Sequence, residues 1–351
     1  MRKIAIFFLS PFCGGAERMT ITIAKLLDRS EYDVRFFVIG RQIGEIKDFI
    51  PNGYPLSLIK IRNIIDFTTL RLYRVLRKIY PQYVFCSLHY LNPQVIQAAN
   101  WIGRCKIIIR FNCAVENVQG ILRYVTIKTY SKADVIIAQT EKMRDDIIEV
   151  FHLSNNKVLT LHNLIDQETI VKKIRNATSP YENENRKKFV WVGRFDKIKG
   201  ADIAVEAFTE AYRKDNNICL YMVGKVDDGN EYYQYVKRLV GEREMNGNIY
   251  FVGFQNNPYC WMKFANCFIL SSRSEGSPNA LFESLYLGIP AVATRCTPNI
   301  DDIIKEGENG YIVDVGDIQE MSIKMLKALK LEEVKIVYNH STSNDFKNLF
   351  K

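Results

Sequence analysis

The feature that most constrains this chain is an alternation running from end to end. Short, near-continuous apolar runs are separated by longer stretches with helical periodicity. In the first half the runs read KIAIFFLS, YDVRFFVIG, LSLIKI, YVFCSL, KIIIRF, DVIIAQT and KVLTLHN. Between most of them lie helix candidates such as AERMTITIAKLLD, FTTLRLYRVLRKI and EKMRDDIIEVFH. Strands apolar on both sides must be covered on both faces, and helices returning between them make the sheet parallel. Residues 171–188, VKKIRNATSPYENENRKK, break the rhythm with polar and Asn-rich sequence and read as a linker. A second series follows: KFVWVGR, a helix from Ala201 to Lys214, ICLYMVG, a helix through 230–240, IYFVGF, CFILSS and YIVDV. The fold class expected is α/β, with two doubly wound domains at 1–170 and 189–351, each too small for a closed barrel. Ligands bind such sheets at the carboxyl ends of their strands, so two halves facing across a cleft would put the site there.

Composition sets the outer limits. The 351 residues are 47% hydrophobic and 25% charged, an ordinary globular balance with room for two cores. No run approaches the roughly 18 uninterrupted apolar residues of a membrane span. The start, MRKIAIFFLSPF, imitates a signal peptide, but it lacks a small-residue cleavage site and leads into a Gly-Gly turn. It reads as a first buried strand, and the compartment expected is cytoplasmic. The eight cysteines include no C-x-x-C pair, and the chain has only four histidines and no H-x-x-x-H or D-x-D arrangement. Neither a disulfide framework, a protein-held metal nor a cofactor is expected.

The net charge of +9 is uneven: residues 1–170 carry 23 Lys and Arg against 15 Asp and Glu, and residues 171–351 carry 25 against 24. Much of the excess sits in Lys60, Arg62, Arg71, Arg74, Arg77 and Lys78, opposed locally by Asp66 alone. Interleaved with Leu, Ile, Phe and Tyr, this stretch suits either an anionic membrane surface or a plain solvated helix face. Nucleic acid is the weaker reading, because no nucleic-acid motif accompanies the charge.

Three stretches could carry chemistry. Phe12-Cys13-Gly14-Gly15-Ala16 follows the first strand and opens the first helix. Its paired glycines let backbone approach a ligand, and the helix start offers N–H groups to an anion. Gly193-Arg194-Phe195-Asp196-Lys197-Ile198-Lys199-Gly200 holds the same position in the second half. There the fork of Arg194 and the point charge of Lys199 suit a diphosphate, against the alternative of surface ion pairs. The third is SSRSEGSPNALFESLYLGIPAVAT, residues 271–294. A strand ends at Ser272, Ser277 reads as an N-cap with Pro278 at N1, and Gly288 with Pro290 marks the stop, giving a helix over 278–287. Glu275 then lies in the loop and Glu283 in the second helical turn, with the turn Pro278-Asn279-Ala280-Leu281 between them favouring an anion. A ligand with hydroxyls at both ends and phosphates in the middle fits, as a nucleotide-sugar does.

With E-G-S-P-N-A-L-F-E followed by Gly288-Ile289-Pro290, the chain resembles the retaining glycosyltransferases of family four, which carry an E-x7-E signature on the GT-B fold of two Rossmann-like domains. Matches in order along nearly the whole chain support this: Gly14-Gly15-Ala16-Glu17-Arg18, Lys132-Ala133-Asp134, Asn163-Leu164-Ile165-Asp166, Gly193-Arg194 with Lys199-Gly200, and Val252-Gly253-Phe254. The resemblance implies transfer of a sugar, with retention and without a metal, from a nucleotide diphosphate sugar, expected to be a UDP-sugar. Arg194 and Lys199 would neutralise the diphosphate, and Glu275 would bind donor-sugar hydroxyls. Backbone at Gly14, Gly15 and Pro278 to Leu281 would add donors, Glu283 would hold the ribose, and Phe254 would lie near the base. The first domain would bind the acceptor and the second the donor.

Family members often carry a histidine near the reacting sugar. His89 is the positional candidate, with a plain hydrogen-bonded histidine as its alternative, and His162 reads as structural. Arg110 and Asn112 would face the acceptor. The family's Gly-Pro or Gly-Gly pair before the last acidic segment is replaced here by Cys296-Thr297-Pro298, and the C-terminal STSNDFKNLFK is short for the helix that crosses back to the first domain, so the tail's contact with that domain would be minimal. Relatives with this pattern often build bacterial surface polysaccharides on lipid-linked acceptors, which implies a saccharide or lipid-linked partner and a place at the inner face of the membrane. The reading from another class is a non-catalytic sugar-nucleotide-binding scaffold. A dehydrogenase is disfavoured because G-x-G-x-x-G is missing.

Overall fold

The computed structural model describes residues 3–12, 14–61, 68–113, 115–331, 334 and 342–351. Cys13, Arg62, Asp66, Phe67 and Ser341, used in the sequence reading, lie outside them. The chain divides into two units: Met1–Leu164 with His340–Lys351, and Ile165–Asn339.

Unit 1 contains strands β1 (Lys3–Leu9), β2 (Tyr32–Gly40), β3 (Leu56–Lys60), β4 (Tyr83–Cys86), β5 (Lys106–Arg110), β6 (Val135–Ala138) and β7 (Val158–Thr160). Its principal helices are α1 (Gly15–Lys25), α2 (Thr68–Ile79), α3 (Asn92–Ile102), α4 (Gly120–Tyr130) and α5 (Glu141–Phe151). The sheet order is β3-β2-β1-β4-β5-β6-β7, parallel throughout. All seven apolar runs of the first half are therefore strands. β1 is central and fully buried along Ala5–Leu9, which is why that run is continuous rather than alternating. One face packs Phe8, Val84 and Ile109 under α2, α3, α4 and α5. The other packs Phe7, Phe36 and Phe85 under α1 and the C-terminal residues.

Unit 2 opens with α6 (Gln167–Ile174) and runs through β8 (Lys187–Val192), α7 (Ala201–Lys214), β9 (Ile218–Val223), α8 (Glu231–Glu242), β10 (Ile249–Gly253), α9 (Pro258–Lys263), β11 (Cys267–Leu270), α10 (Asn279–Tyr286), β12 (Ala291–Thr294), α11 (Ile300–Ile303), β13 (Gly310–Val313) and α12 (Ile318–Ala328). Its parallel sheet has the order β10-β9-β8-β11-β12-β13. Two layers, around Phe189, Phe208 and Leu220 and around Phe268, Leu281 and Ile300, cover its faces. β12 is absent from the sequence reading: AVAT is four small residues hard against a Gly-Pro stop, too short to register as a run.

Two boundaries differ from expectation. The polar stretch 171–188 starts inside α6 and ends inside β8. Between them Tyr181 is buried, donates to the Trp261 carbonyl at 2.5 Å, and packs edge-on against Tyr221 and Trp261. One aromatic anchor ties a polar segment to unit 2, and composition gives no sign of it. The second difference is the C-terminus. Helix α13 (Ser343–Asn348), capped by Thr342 and Asp345, belongs to unit 1. Phe346 and Phe350 are fully buried there, and the Tyr32 hydroxyl donates to the Phe350 carbonyl at 2.6 Å.

Candidate active site

In each sheet the strand order reverses between two neighbours, β1 and β4 in unit 1, β8 and β11 in unit 2. Connections leave such a pair in opposite directions, which opens a crevice at the carboxyl ends. Gly14, Gly15 and His89 fall at the first of these places and Arg194, Lys199, Glu275, Pro278 to Leu281 and Glu283 at the second, whereas Arg110 and Asn112 lie at the end of β5 and Phe254 after β10.

In unit 2 the turn after β8 meets the loop after β11. Gly200 sits at φ 64° between the turn and α7, and a Cβ there would lie 2.0 Å from the Ser271 carbonyl oxygen. Only glycine lets the two segments approach so closely. Ser271 Oγ completes the seam, donating to the Gly200 carbonyl at 2.7 Å while accepting from the Trp191 indole at 3.1 Å. The side chain of Asp196 accepts the Lys199 N–H at 3.0 Å and fixes the turn. Lys199 Nζ consequently reaches Glu275 Oε1 at 2.6 Å, and that oxygen also accepts from Ser272 Oγ at 2.7 Å. The backbone N–H of Glu275 donates to the Cys296 carbonyl at 2.8 Å. The cation and the carboxylate are thus one ion pair, with the Glu275 side chain only 10% exposed.

Arg273 clamps the same seam. Its guanidinium donates to both oxygens of Asp202 at 2.9 and 2.7 Å and to the Lys197 carbonyl at 2.8 Å. Its backbone N–H donates to the Ile198 carbonyl at 2.6 Å. Burial pushes the Asp202 carboxyl up, but hydrogen bonds from Arg273 and from Tyr232 outweigh it and leave it below the ordinary carboxylate value. Neither Arg273 nor Asp202 was singled out in the sequence. The only signal was an arginine inside a Ser-rich loop, and its partner is 71 residues away.

Arg194 differs from Lys199. It is 80% exposed and lies 3.2 Å from Asp196, a surface pair that leaves its donors open to solvent. Helix α10 begins one residue later than expected. Pro278 (φ −82°, ψ 81°) is the cap, no side chain caps it, and Ser277 contributes only its carbonyl, to the Asn279 N–H at 3.0 Å. Proline has no N–H, and Leu281 donates to the Pro278 carbonyl at 3.0 Å, so the turn offers an anion chiefly the Ala280 N–H. Glu283, in α10, accepts from the Tyr259 hydroxyl at 3.3 Å. Phe254, just past β10, is 53% exposed.

In unit 1 the Gly-Gly turn follows β1. Glu17, buried in the first turn of α1, accepts from Ser10 Oγ at 2.6 Å and from the Gly14 N–H at 3.1 Å. The Gly14 N–H is therefore occupied by its own helix, while Gly15 opens α1. A Glu three residues after a cap glycine is the sequence trace of this arrangement. His89 follows β4 and its Nδ1 lies 3.0 Å from Asn112 Oδ1, just past β5. Burial holds the ring below the ordinary histidine value, against the hydrogen bond to Asn112 Oδ1, which raises it. With Oδ1 as acceptor, Nδ1 carries the proton and Nε2 is left as an acceptor. Arg110 departs from expectation. It is only 2% exposed and donates to Ser87 Oγ at 3.1 Å and to Asn163 Oδ1. Burial lowers its pKa to about 9. At the end of β5, an interior strand, its buried guanidinium ties together residues just past β4 and β7 and is not exposed. His162 lies next to this tie. Among the described residues no three His, Cys, Asp or Glu side chains converge as metal ligands.

Comparison with known proteins places both halves. Residues 13–169 match the family model described as Glycosyltransferase Family 4, and residues 172–343 match Glycosyl transferases group 1. An uncharacterised glycosyltransferase of Methanocaldococcus jannaschii is 30% identical over 181 residues, 50% of this chain and 43% of that protein. The N-acetylgalactosamine-N,N'-diacetylbacillosaminyl-diphospho-undecaprenol 4-alpha-N-acetylgalactosaminyltransferase of Campylobacter jejuni is 24% identical over 97% of this chain and 93% of its own length. Among solved structures, Anabaena HepE in complex with UDP-glucose superposes with a TM-score of 0.79 at 15% identity, covering 93% of this chain and 90% of that one.

Proposed function

We propose a reaction for a chain that belongs to the glycosyltransferases, joining a Family 4 domain to a group 1 domain on the GT-B fold: transfer of a sugar from a UDP-sugar, with retention and without a metal, to a saccharide or lipid-linked acceptor of bacterial surface polysaccharide synthesis. Unit 2 takes the donor and unit 1 the acceptor. The observation that carries the reading is the Lys199–Glu275 pair at the switch point of the second sheet. A cation suited to a diphosphate and a carboxylate suited to sugar hydroxyls meet at one spot, 2.6 Å apart.

The bond that breaks joins the anomeric carbon to the diphosphate, and the bond that forms joins that carbon to the acceptor oxygen on the same face. The acceptor proton passes to the departing phosphate oxygen. Negative charge grows on the diphosphate, so positioned donors there lower the barrier most. Lys199 is held for this by the Asp196 turn, and Arg194, exposed and loosely paired, is able to swing onto the phosphates. Ala280 adds its N–H. Glu275 takes sugar hydroxyls, Glu283 the ribose, and Phe254 covers the base. The neutral His89, aligned by Asn112, offers Nε2 to a hydroxyl on the acceptor side. The names of two Staphylococcus aureus relatives, capsular polysaccharide biosynthesis glycosyltransferases, support a surface-polysaccharide acceptor, and the Campylobacter relative's name includes a diphospho-undecaprenol. That supports a place at the inner face of the membrane.

The test is a parallel screen of UDP-Glc, UDP-Gal, UDP-GlcNAc, UDP-GalNAc and GDP-Man for binding and turnover, followed by Lys199→Ala and Glu275→Ala with the donor that works. Each substitution is expected to lower kcat by on the order of 10²–10³-fold, the usual cost of one transition-state donor. Full transfer in both variants would sink the site. Binding of a UDP-sugar without turnover by any acceptor fraction would favour the scaffold.

A further inference from the structure

The polar stretch RNATSPYE, residues 175–182, forms neither strand nor helix, yet it is held against unit 2. Tyr181 anchors it, and Tyr181 and Tyr221 together fix the ring of Trp261, one edge-on at 5.1 Å and the other tilted at 5.6 Å. At the start of the stretch α6 packs on α9. There Lys173 Nζ donates to the Asn256 carbonyl at 2.5 Å, and Asn257 Nδ2 donates to the Lys173 carbonyl at 2.9 Å. Residues from these segments line a groove of about 590 Å³, within the range of about 300–1,000 Å³ of small-molecule sites. All of its lining belongs to unit 2, and Lys199, Glu275, Ala280 and Glu283 are not part of it.

The wall of this groove is polar and cationic, unlike an apolar ligand pocket. Lys172, Lys173 and Arg175 stand exposed on it, against the single acid Glu182. Lys172 and Arg175 pair with no other described residue. The dipole of α6 favours basic residues in its last turn, but it does not gather them around a concave surface with an indole. Asn176 and Thr178 are exposed on the same wall. Gln255 donates to the Val252 carbonyl at 3.4 Å, which leaves its own carbonyl oxygen open. Asn257 Oδ1 is buried without a partner, and a buried acceptor is costly until a donor reaches it.

We propose that this groove binds an acidic oligosaccharide, one that carries carboxylates on some of its sugars. Arg175 and Lys172 take a carboxylate, Arg175 with its planar fork. A pyranose ring has an apolar C–H face rimmed by hydroxyls, and it lies on Trp261 with those hydroxyls toward Asn176, Thr178 and Gln255. One hydroxyl donates to Asn257 Oδ1. Each feature excludes a simpler occupant. An inorganic anion uses the cations and leaves the indole and the amides idle, and a neutral glycan leaves the cations idle. A densely charged polyanion is opposed by Glu182, so three cations and one acid accept sparse negative charge. This goes beyond the proposed reaction and does not need it, because the saccharide is held without a donor and away from the Lys199–Glu275 pair.

The test is titration of the full chain, without donor, with the tetrasaccharides of hyaluronan and of polygalacturonate, their carboxyl-reduced neutral counterparts, inorganic phosphate and a heparin tetrasaccharide. Binding is read by calorimetry and by tryptophan emission in a Trp101→Phe background. Trp191 is buried, so the emission that responds there is that of Trp261. At least one of the two carboxylated probes is expected to bind and to change that emission. Its neutral counterpart and phosphate should bind weaker by on the order of tenfold or more, the worth of one charge-assisted hydrogen bond. Lys172→Gln/Arg175→Gln should weaken the carboxylated probe by on the order of tenfold or more, with Tm unchanged because both side chains are exposed. Saturating UDP should leave that binding intact. Binding of neither probe, equal binding of the neutral counterpart or of phosphate, a silent Trp261, or full binding by the double variant each overturns the proposal. So does displacement by UDP, which would put the probe in the donor site, and tighter binding of heparin, which would mark a general polyanion surface. A wild type that turns over no UDP-sugar yet passes these titrations loses the reaction and keeps the groove.

Discussion

At Glu275 a single contact sets the meaning of the residue. Its carboxylate already holds Lys199 and Ser272, so a donor sugar must share or displace the lysine to reach it. Lys199→Met should therefore weaken donor binding and catalysis together, whereas Glu283→Ala, which removes the acceptor of the Tyr259 hydroxyl, should chiefly raise the donor KM; steady-state kinetics on both checks this. His89 gives a pH prediction. Its folded pKa lies below the ordinary histidine value because burial disfavours the cation, so its contribution to stability is present above that ordinary value and is lost as pH falls through the lowered folded value. The Asn112 hydrogen bond raises that value, so Asn112→Ala should lower it further. Following the His89 ring protons by NMR titration decides the sign, and a midpoint that rises would contradict it. The placement of Lys199, Glu275 and Glu283 was legible in the sequence because their spacing against Gly and Pro marks strand end and helix start. Arg110 was not, because a residue at a strand's end is buried or exposed according to what lies beyond it, here Ser87 and Asn163.

The turn after β8 and the loop after β11 work as one element. Gly200 lets them touch and the Arg273–Asp202 fork holds them. Gly200→Ala should destabilise unit 2 by more than about 1 kcal/mol, from strain at positive φ together with the clash on the Ser271 carbonyl. That predicts a fall in Tm of more than about 2–4 °C for a unit of this size. Arg273→Lys keeps the charge but loses the two-pronged grip on Asp202, so Lys199 should lose its alignment. The expected signature is a fall in kcat of about tenfold or more with UDP affinity nearly intact, because the lysine is present but less well placed. A uniform rise in KM at constant kcat would mean that the clamp only supports folding. The helices and strands here were legible from periodicity, α7 to the residue. β12 and the late start of α10 were not, since four small residues carry no pattern and Pro278 fits either end of a cap.

For the molecule as a whole, the C-terminal residues are as much part of unit 1 as its strands. Phe350 packs on Phe7, Tyr83 and Phe85, and its carbonyl accepts from Tyr32. Phe350→Ala should cost about 3–5 kcal/mol, the range for emptying a buried aromatic site. Urea unfolding monitored by near-UV dichroism should lose unit 1 first, and an unchanged midpoint would show that the tail is dispensable. The alternation of apolar runs and helical periods determined that this chain forms two parallel α/β units, because backbone hydrogen bonding and burial act over a few residues and leave a local mark. The Gly and Pro punctuation determined where the turns after β1, β8 and β11 fall. Strand order, the return of the tail to unit 1, the Lys199–Glu275 pair and the burial of Arg110 were decided only by the tertiary structure. These contacts join residues 53 to 318 positions apart, and no local pattern encodes which distant partner completes a buried group.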